Sequence, residues 1–570
     1  MTTAAGPSTT SRLRRWGVAA RRWRNRRRAS PGWSIVVGVI LAVVLLPVAS
    51  VLVLATGSAA NIWPQLIGSV LPAAFRDTLL LMVLSGGVTL VIGTACAWLV
   101  TMYRFPGRAL LDRLLVIPLA MPVYIVAYAY SDLLGYAGPV QTAMRAMFGY
   151  GPGAPSLLPD IRSLGGSVFV MSIVLYPYVY LGARASFIQQ SVCALEVART
   201  LGRTPLGVFW AVALPMARPA LVASVALVMM ECMADLAAVQ HLGVTTLTSS
   251  IYALWLQRSN MGGAAQLACV LLMLVLAVYL AEHKLKGNGR THGATGRYRS
   301  IPFHELDGWQ GIAAAVVCAL PFVIGFAIPA LALAGHAWTH FGDALNAGLV
   351  DAMWHSLVLS SAAAGAALVV ALIITYAQRV APNGITRPAV RVAGLGYALP
   401  GTVLAIGLLY PLGAFDNAVD GFMRTTFGIS TGLMLTGSVI ALTLAYVTRF
   451  LAVALGALDA GLQRISPNLD AAARALGETA LSALFRVHLP MLTPALAAGA
   501  LLVFVDAMKE LPATLLMRPF NFETLATHVY GLVAVEQLEQ AAPAALLIVL
   551  AGLVPVLLLH RTLADGRAGG

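Results

Sequence analysis

The sequence predicts an all-α polytopic membrane protein with about twelve transmembrane helices in two parallel six-helix repeats. Three observations carry this prediction. First, 59% of the 570 residues are hydrophobic and only 11% are charged, where a soluble domain has ~25% charged residues; the mean hydropathy is +0.82. Second, apolar runs of ~20 residues, enough for a helix to cross ~30 Å of hydrocarbon, recur along the whole chain. Third, a stretch near residue 200 returns near residue 475.

The apolar runs place spans near 33–55, 78–100, 112–134, 166–188, 217–240 and 264–282 in the first half. The second half has them near 311–333, 355–377, 391–413, 430–456, 493–515 and 541–560. Basic residues in short loops resist translocation, so Lys and Arg set the orientation. The N-terminus carries nine Arg in its first thirty residues and is expected in the cytoplasm as an uncleaved anchor, since no A-x-A-like site ends the first apolar run. Counting from there, the loops expected inside hold Arg104, Arg108 and Arg113, then Arg199 and Arg203, Lys284 and Lys286, Arg379 and Arg387, and Arg464 and Arg474. The loop 334–353, expected outside, has no Lys or Arg and carries Asp343 and Asp351. Both ends are then cytoplasmic. A nucleic-acid role for the basic arm is set aside because a span follows it at once. Membrane lipid is the expected surrounding, and no nucleic-acid partner is expected.

Cys96, Cys193, Cys232, Cys269 and Cys318 stand singly in or beside apolar segments, as small buried hydrophobes do. No metal site or disulfide framework is expected of them.

Residues 196–221 and 471–496 share 13 identities in 26 ungapped positions, among them Gly202/Gly477, Leu214/Leu489 and Pro215/Pro490. Fainter matches flank them at an offset of 278, Met121-Pro122 with Leu399-Pro400 and Asp77-Thr78 with His355-Ser356. An even number of spans per repeat makes the halves parallel, related by a pseudo-two-fold along the membrane normal. The expected organisation is a basic N-terminus (1–32), a first six-span domain (33–283), a Gly-rich basic linker (284–305) and a second six-span domain (306–570).

Each copy of the repeated stretch is a short amphipathic run, a Gly, a second run and then Leu-Pro before the next span. Gly permits a turn or a close approach, and Pro punctuates re-entry into the membrane. One such stretch would read as an interfacial helix seated on headgroups. Two, at identical spacing in symmetric cytoplasmic loops, read as a docking surface for something two-fold.

EVARTLG from Glu196 to Gly202, followed by Leu-Pro thirteen residues after the Gly, resembles the EAA loop of bacterial ABC importer permeases. The resemblance covers both halves and implies a type I importer permease fold. It also implies that short coupling helices sit in clefts of two cytoplasmic ATPase subunits, with a periplasmic solute-binding protein delivering cargo. The coupling positions it implies are Glu196, Ala198, Arg199, Gly202, Leu214 and Pro215, and in the second copy Asp470, Ala473, Arg474, Gly477, Leu489 and Pro490. The second copy departs from the pattern, with Ala471 where the loop's Glu is expected and Asp470 one position earlier. The fused layout and the stretches 121–141, 230–252 and 505–526 resemble ferric-iron permeases; thiamine, polyamine or another small solute are the alternative cargoes.

No G-x-x-x-x-G-K-[ST] phosphate loop occurs, so the ATPase must be a separate subunit. No catalytic constellation or cofactor motif is present, and His283, His292 and His304 near the linker are too irregularly spaced for a metal site. The competing class is a twelve-span transporter driven by an ion gradient, which has no use for paired docking loops. Glu231 with Asp235, and Asp506 with Glu510, fall at equivalent places in the repeat, each spaced i, i+4 so that both carboxylates would share one face of a span. Each ionised group there costs ~3 kcal/mol on insertion scales, so the acids are expected to face the bundle interior or a watery path. Two readings stay open: Lys509 neutralises its neighbours and the acids are structural, or they line the translocation path.

Overall fold

The protein is described by a computed structural model, which covers residues 31–57, 63–151, 155–190, 200–286, 304–344 and 347–565. Among these, eleven helices are long and apolar enough to span a membrane, and Arg108–Ala120 with Val123–Met147 passes the same test only as a pair, bent by 94°, which is the geometry of a broken span or a re-entrant loop. The break corrects the continuous third span expected near 112–134. Its cause is local: Pro122 disfavours helical backbone at the preceding residue, and Met121 and Pro122 are both extended, with ψ of 120° and 141°. Pro400 repeats the device with ψ 141°, so the ninth span begins at Gly401 and runs to Phe427 rather than lying at 391–413.

The fifth and eleventh spans, Leu206–Ala234 and Ala480–Met508, start before and end before the apolar runs that mark them. Past each end the chain makes two further short helices, Ala237–His241 and Leu247–Tyr252 in the first repeat, Pro512–Met517 and Leu525–Ala534 in the second. The second helix of each pair opens with a reciprocal capping box, Thr246 with Ser249 and Thr524 with Thr527. Thr78 Oγ1 accepts the Leu247 N–H at 2.9 Å, and Ser356 Oγ accepts the Leu525 N–H at 2.7 Å. The faint 278-residue correspondence is thus one hydrogen bond made twice.

Contacts group the chain into two compact units, one of residues 1–48, 360–398 and 443–507, the other of 49–359, 399–442 and 508–570. In the larger unit, helices Leu71–Met102 and Leu164–Gln189 approach closely at Gly93, where a Cβ would lie 2.8 Å from the backbone of Tyr180. Beside them Arg184 forks onto Asp112 at 2.7 and 2.8 Å, and the Tyr180 hydroxyl donates to the same carboxylate at 2.6 Å, so this buried charge is fully paired. A two-residue parallel pairing of Tyr103–Arg104 with His304–Glu305 ties the end of the linker to the loop after the second span. Both partners were expected on the cytoplasmic side.

In the smaller unit, Leu462, Ile465 and Leu492 form an apolar core, and Gly461 brings its helix so near the next that a Cβ would meet Ala495 Cβ at 2.7 Å. Cys96, Cys232 and Cys318 are buried and Cys269 half-buried, all as free thiols; Cys193 lies outside the described residues. Among the described residues no three His, Cys, Asp or Glu converge to hold a metal ion.

Candidate coupling loops and transport path

Of the first loop's implied coupling positions, Glu196, Ala198 and Arg199 lie outside the described residues. From residue 200 onward the two copies match turn for turn. Gly202 and Gly477 sit at φ +79° and +81°, the left-handed region that favours glycine. Two residues on, Thr204 Oγ1 accepts the Gly207 N–H and Thr479 Oγ1 accepts the Ser482 N–H, each starting the next turn. One widened turn follows in each, Phe209–Ala213 and Leu484–His488. Leu214-Pro215 and Leu489-Pro490 then open long helices, where a missing proline N–H costs nothing.

The loops also share exposed apolar side chains. Leu201 is 78% exposed and Leu476 85%, each directly before its glycine, and Leu206 with Trp210 and Leu481 with Phe485 are exposed likewise. Sequence reasoning passed over Leu206, Trp210, Leu481 and Phe485; the signal was an apolar residue kept at equivalent positions of both polar loops. Nothing lies within 4 Å of where a Cβ on either glycine would stand. Space at the Cβ position is thus open among the described residues, and the left-handed backbone is what restricts each position to glycine.

In the second loop, helix Pro467–Ala475 carries Asp470, the buried Ala473 and Arg474, whose Nε donates back to the Asp470 carbonyl at 3.0 Å. The Asp470 carboxylate is held within the chain. Arg379 Nε donates to Oδ2 at 2.9 Å, and His488 Nε2 lies 2.6 Å from Oδ1. The same guanidinium donates to the carbonyls of Leu462 at 2.7 Å and Ile465 at 3.0 Å, tying the end of helix Val439–Gln463 to the loop. His488 is fully buried, and its Nδ1 lies 2.9 Å from the Ala483 carbonyl. Both ring nitrogens of His488 therefore face oxygen atoms, one a carbonyl and one a carboxylate. The Tyr376 hydroxyl donates to the Ala480 carbonyl at 2.5 Å, and its ring meets His488 edge-on at 5.4 Å. Asp470 therefore anchors its helix rather than standing free for a partner.

The acids do not share span faces as their spacing predicted. Glu231 and Asp506 lie within their helices, whereas Asp235 and Glu510 lie beyond the last helical residues, Ala234 and Met508. Asp235 is extended, with ψ 136°. There its Oδ1 accepts the N–H of Ala238 at 2.9 Å, and Glu510 Oε1 accepts the N–H of Ala513 at 3.2 Å. Each acid thus steadies the start of the following short helix, and Lys509 occupies the break beside Glu510. The physical reason is that a carboxylate near an exposed N–H end competes successfully with one more helical turn.

Within the larger unit, Asp235 and Glu510 lie in electrostatic range of each other. Tyr128 lies within such range of Asp235, Tyr124 and Tyr530. The Tyr530 hydroxyl donates to Gln240 Oε1 at 3.2 Å, and the Tyr128 ring meets His241 at 4.7 Å. These residues gather polar side chains from the third, fifth and eleventh spans and their following helices into one seam within the larger unit. Sequence reasoning missed the tyrosines, which look like core aromatics until the fold gathers them.

Residues 89–281 match the family described as the binding-protein-dependent transport system inner membrane component. The chain is 25% identical to the Fe(3+)-transport system permease protein FbpB 2 of Haemophilus influenzae, over 85% of this chain and 89% of that protein. The sulfate transport system permease protein CysT of Escherichia coli is 29% identical over 46% of this chain and 94% of its own length. The molybdenum transport system permease protein ModB of Escherichia coli is 27% identical over 35% and 90%. Half of this chain thus accounts for a whole sulfate permease, as a fusion of two such domains requires, and the ion-gradient alternative falls away. The chain is thus similar to multi-pass inner-membrane permeases of ABC importers, and in its fused two-domain form it resembles the ferric-type permeases.

Proposed function

We propose that the chain carries ferric iron from a periplasmic binding protein into the cytoplasm, driven by two ATPase subunits that dock on the loops around Gly202 and Gly477. In this reading 33–283 and 306–570 are the two permease domains, and both termini are cytoplasmic. The observation that carries the choice of cargo is the charge of the seam. Relatives named for sulfate, molybdenum and 2-aminoethylphosphonate transport also match, but a seam that gathers two carboxylates, Asp235 and Glu510, and phenols around one imidazole, His241, with Lys509 beside Glu510, serves a cation better than an oxyanion. Hard oxygen donors suit a hard cation. Uptake of radiolabelled iron against labelled molybdate and sulfate, in a strain deleted for this chain and complemented with it, tests the reading. Restored oxyanion uptake without iron uptake overturns it.

The coupling assignment predicts that Gly477→Trp leaves the chain inserted but blocks docking, so that the ATPase subunit no longer co-purifies and uptake is lost. Normal association and transport in that variant would remove the assignment. Neither long outer loop, 135–165 or 518–540, is large enough for a binding domain. Cells lacking the cognate periplasmic binding protein should accordingly show no saturable high-affinity uptake, which a concentration series of labelled iron reads out; saturable uptake in such cells would contradict delivery.

A further inference from the structure

A cavity of about 380 Å³ in the larger unit plays no part in the coupling loops and shares only Gln240 with the polar seam. It opens between the start of the second span, at Leu66 and Val70, and the segment that leads into the sixth, at Leu254, Gln257 and Arg258. Both are span ends on the side expected outside. Each contributes one widened turn, Leu66–Val70 and Ala253–Gln257. The Arg258 N–H closes the second turn on the Ala253 carbonyl at 3.2 Å, and Ser259, left-handed at φ +50°, then reverses the chain into the sixth span.

The lining divides by chemistry. Leu66, Val70 and Leu254 make an apolar wall, and Arg258, Gln257, Thr245 and Gln240 face it with hydrogen-bond donors. Those of Arg258, Gln257 and Thr245 have no partner among the described residues, and Gln240 spends only its carbonyl oxygen, on the Tyr530 hydroxyl. Among the described residues no carboxylate lines the cavity, so Arg258 is left as its charge. Unspent donors around one guanidinium suit a phosphate.

The surroundings select a lipid as the source of that phosphate. Ile67 and Leu256, each next in sequence to a lining residue, are 58% and 47% exposed. Trp63 and Trp255 stand half-buried in the same two segments, and indole rings collect at the membrane–water interface. A soluble anion has no use for the apolar wall, whereas a phospholipid lays the start of its acyl chains there. An ethanolamine headgroup would bring an ammonium that finds no carboxylate. A glycerol headgroup brings hydroxyls, which the amides and Thr245 can meet.

We propose that this cavity seats the headgroup of an anionic phospholipid, its phosphodiester on Arg258 and its glycerol on Gln240, Gln257 and Thr245. The lipid would pin the outer ends of the second and sixth spans to their leaflet, whatever the cargo.

Native mass spectrometry of the full-length chain, delipidated in detergent and titrated with phosphatidylglycerol, tests this. Phosphatidylglycerol should bind saturably and about tenfold more tightly than phosphatidylethanolamine, and Arg258→Gln should remove that advantage, a loss of about tenfold for one charge-assisted contact. Arg258→Lys should lose less, since it keeps the charge without the fork. Arg258 is exposed, so an unchanged Tm is expected of both variants and separates lost binding from lost folding. Arg162→Gln, on the same expected side but outside the cavity lining, should bind normally and controls for overall charge. Equal affinity for the two lipids, or unchanged phosphatidylglycerol affinity in Arg258→Gln, overturns the proposal. Inorganic phosphate in excess should fail to displace the lipid; displacement would make the cavity a site for a soluble anion and overturn the lipid assignment.

Discussion

Asp470→Ala should abolish ATP-coupled uptake while leaving the chain in the membrane. The substitution strands the Arg379 guanidinium and the buried His488 imidazole, both of which point at the lost carboxylate. Removing one partner of a shielded ion pair costs ~3 kcal/mol. The spans are held by lipid and by apolar packing, so the loss falls on the local structure that depends on the clamp. Helix Pro467–Ala475 then loses its tie to Leu462 and Ile465, and Leu476 and Gly477 lose their fixed position. Co-purification of the ATPase subunit and substrate-stimulated ATP hydrolysis should both fall to background. A second variant separates anchoring from direct contact. Arg379→Met with Asp470→Leu and His488→Phe replaces the cluster by apolar groups of similar volume, an exchange that other buried ion clusters tolerate. Restored ATPase association in this triple variant supports anchoring. A folded triple variant that still fails to bind would mean that Asp470 itself touches the ATPase, and the anchoring role would be wrong.

The same cluster shows where sequence reading stops. The approximate number of spans was legible because length and apolarity are one-dimensional, though the breaks that shift the third, fifth, ninth and eleventh were not, and the repeat was legible since Gly202/Gly477 and Pro215/Pro490 need no partner to be recognised. Arg379 was read only as an orientation charge. Its bond to Asp470 joins residues 91 positions apart, and nothing local announces it. The departure at Ala471 was visible, but its consequence required the fold to bring His488 to the displaced acid. Asp235 illustrates a different failure. Helical spacing put it on a face with Glu231, yet its carboxylate accepts the Ala238 N–H and the helix ends first. Apolar content continues past the break, so hydropathy could not see it. Tyr128 and Tyr530 were invisible as path residues because one stands in an apolar run and the other in an expected outer loop, 402 positions apart in sequence, and only packing gives them a shared neighbourhood.

Neutralising Asp235 and Glu510 should reduce iron uptake about a hundredfold with assembly intact, if the seam conducts a cation, because each lost charge removes an attraction that low-dielectric surroundings amplify. The design of the variants follows from the geometry. Asn and Gln keep the carbonyl oxygen that accepts from Ala238 and Ala513, and Asn starts a helix about as well as Asp. Asp235→Asn and Glu510→Gln therefore remove charge and spare the short helices, whereas Asp235→Ala removes both. A structural role makes the Asn and Gln variants nearly normal and the Ala variant defective in assembly. A conducting role makes all three fail at uptake, with Asn and Gln still binding the ATPase subunit. Glu231→Gln, inside its helix, changes charge without touching a helix start and controls for generic loss of negative potential. Scoring complex assembly and labelled-iron uptake separately decides the matter: unchanged uptake in Asp235→Asn and Glu510→Gln would leave both acids as helix starters and put the path elsewhere.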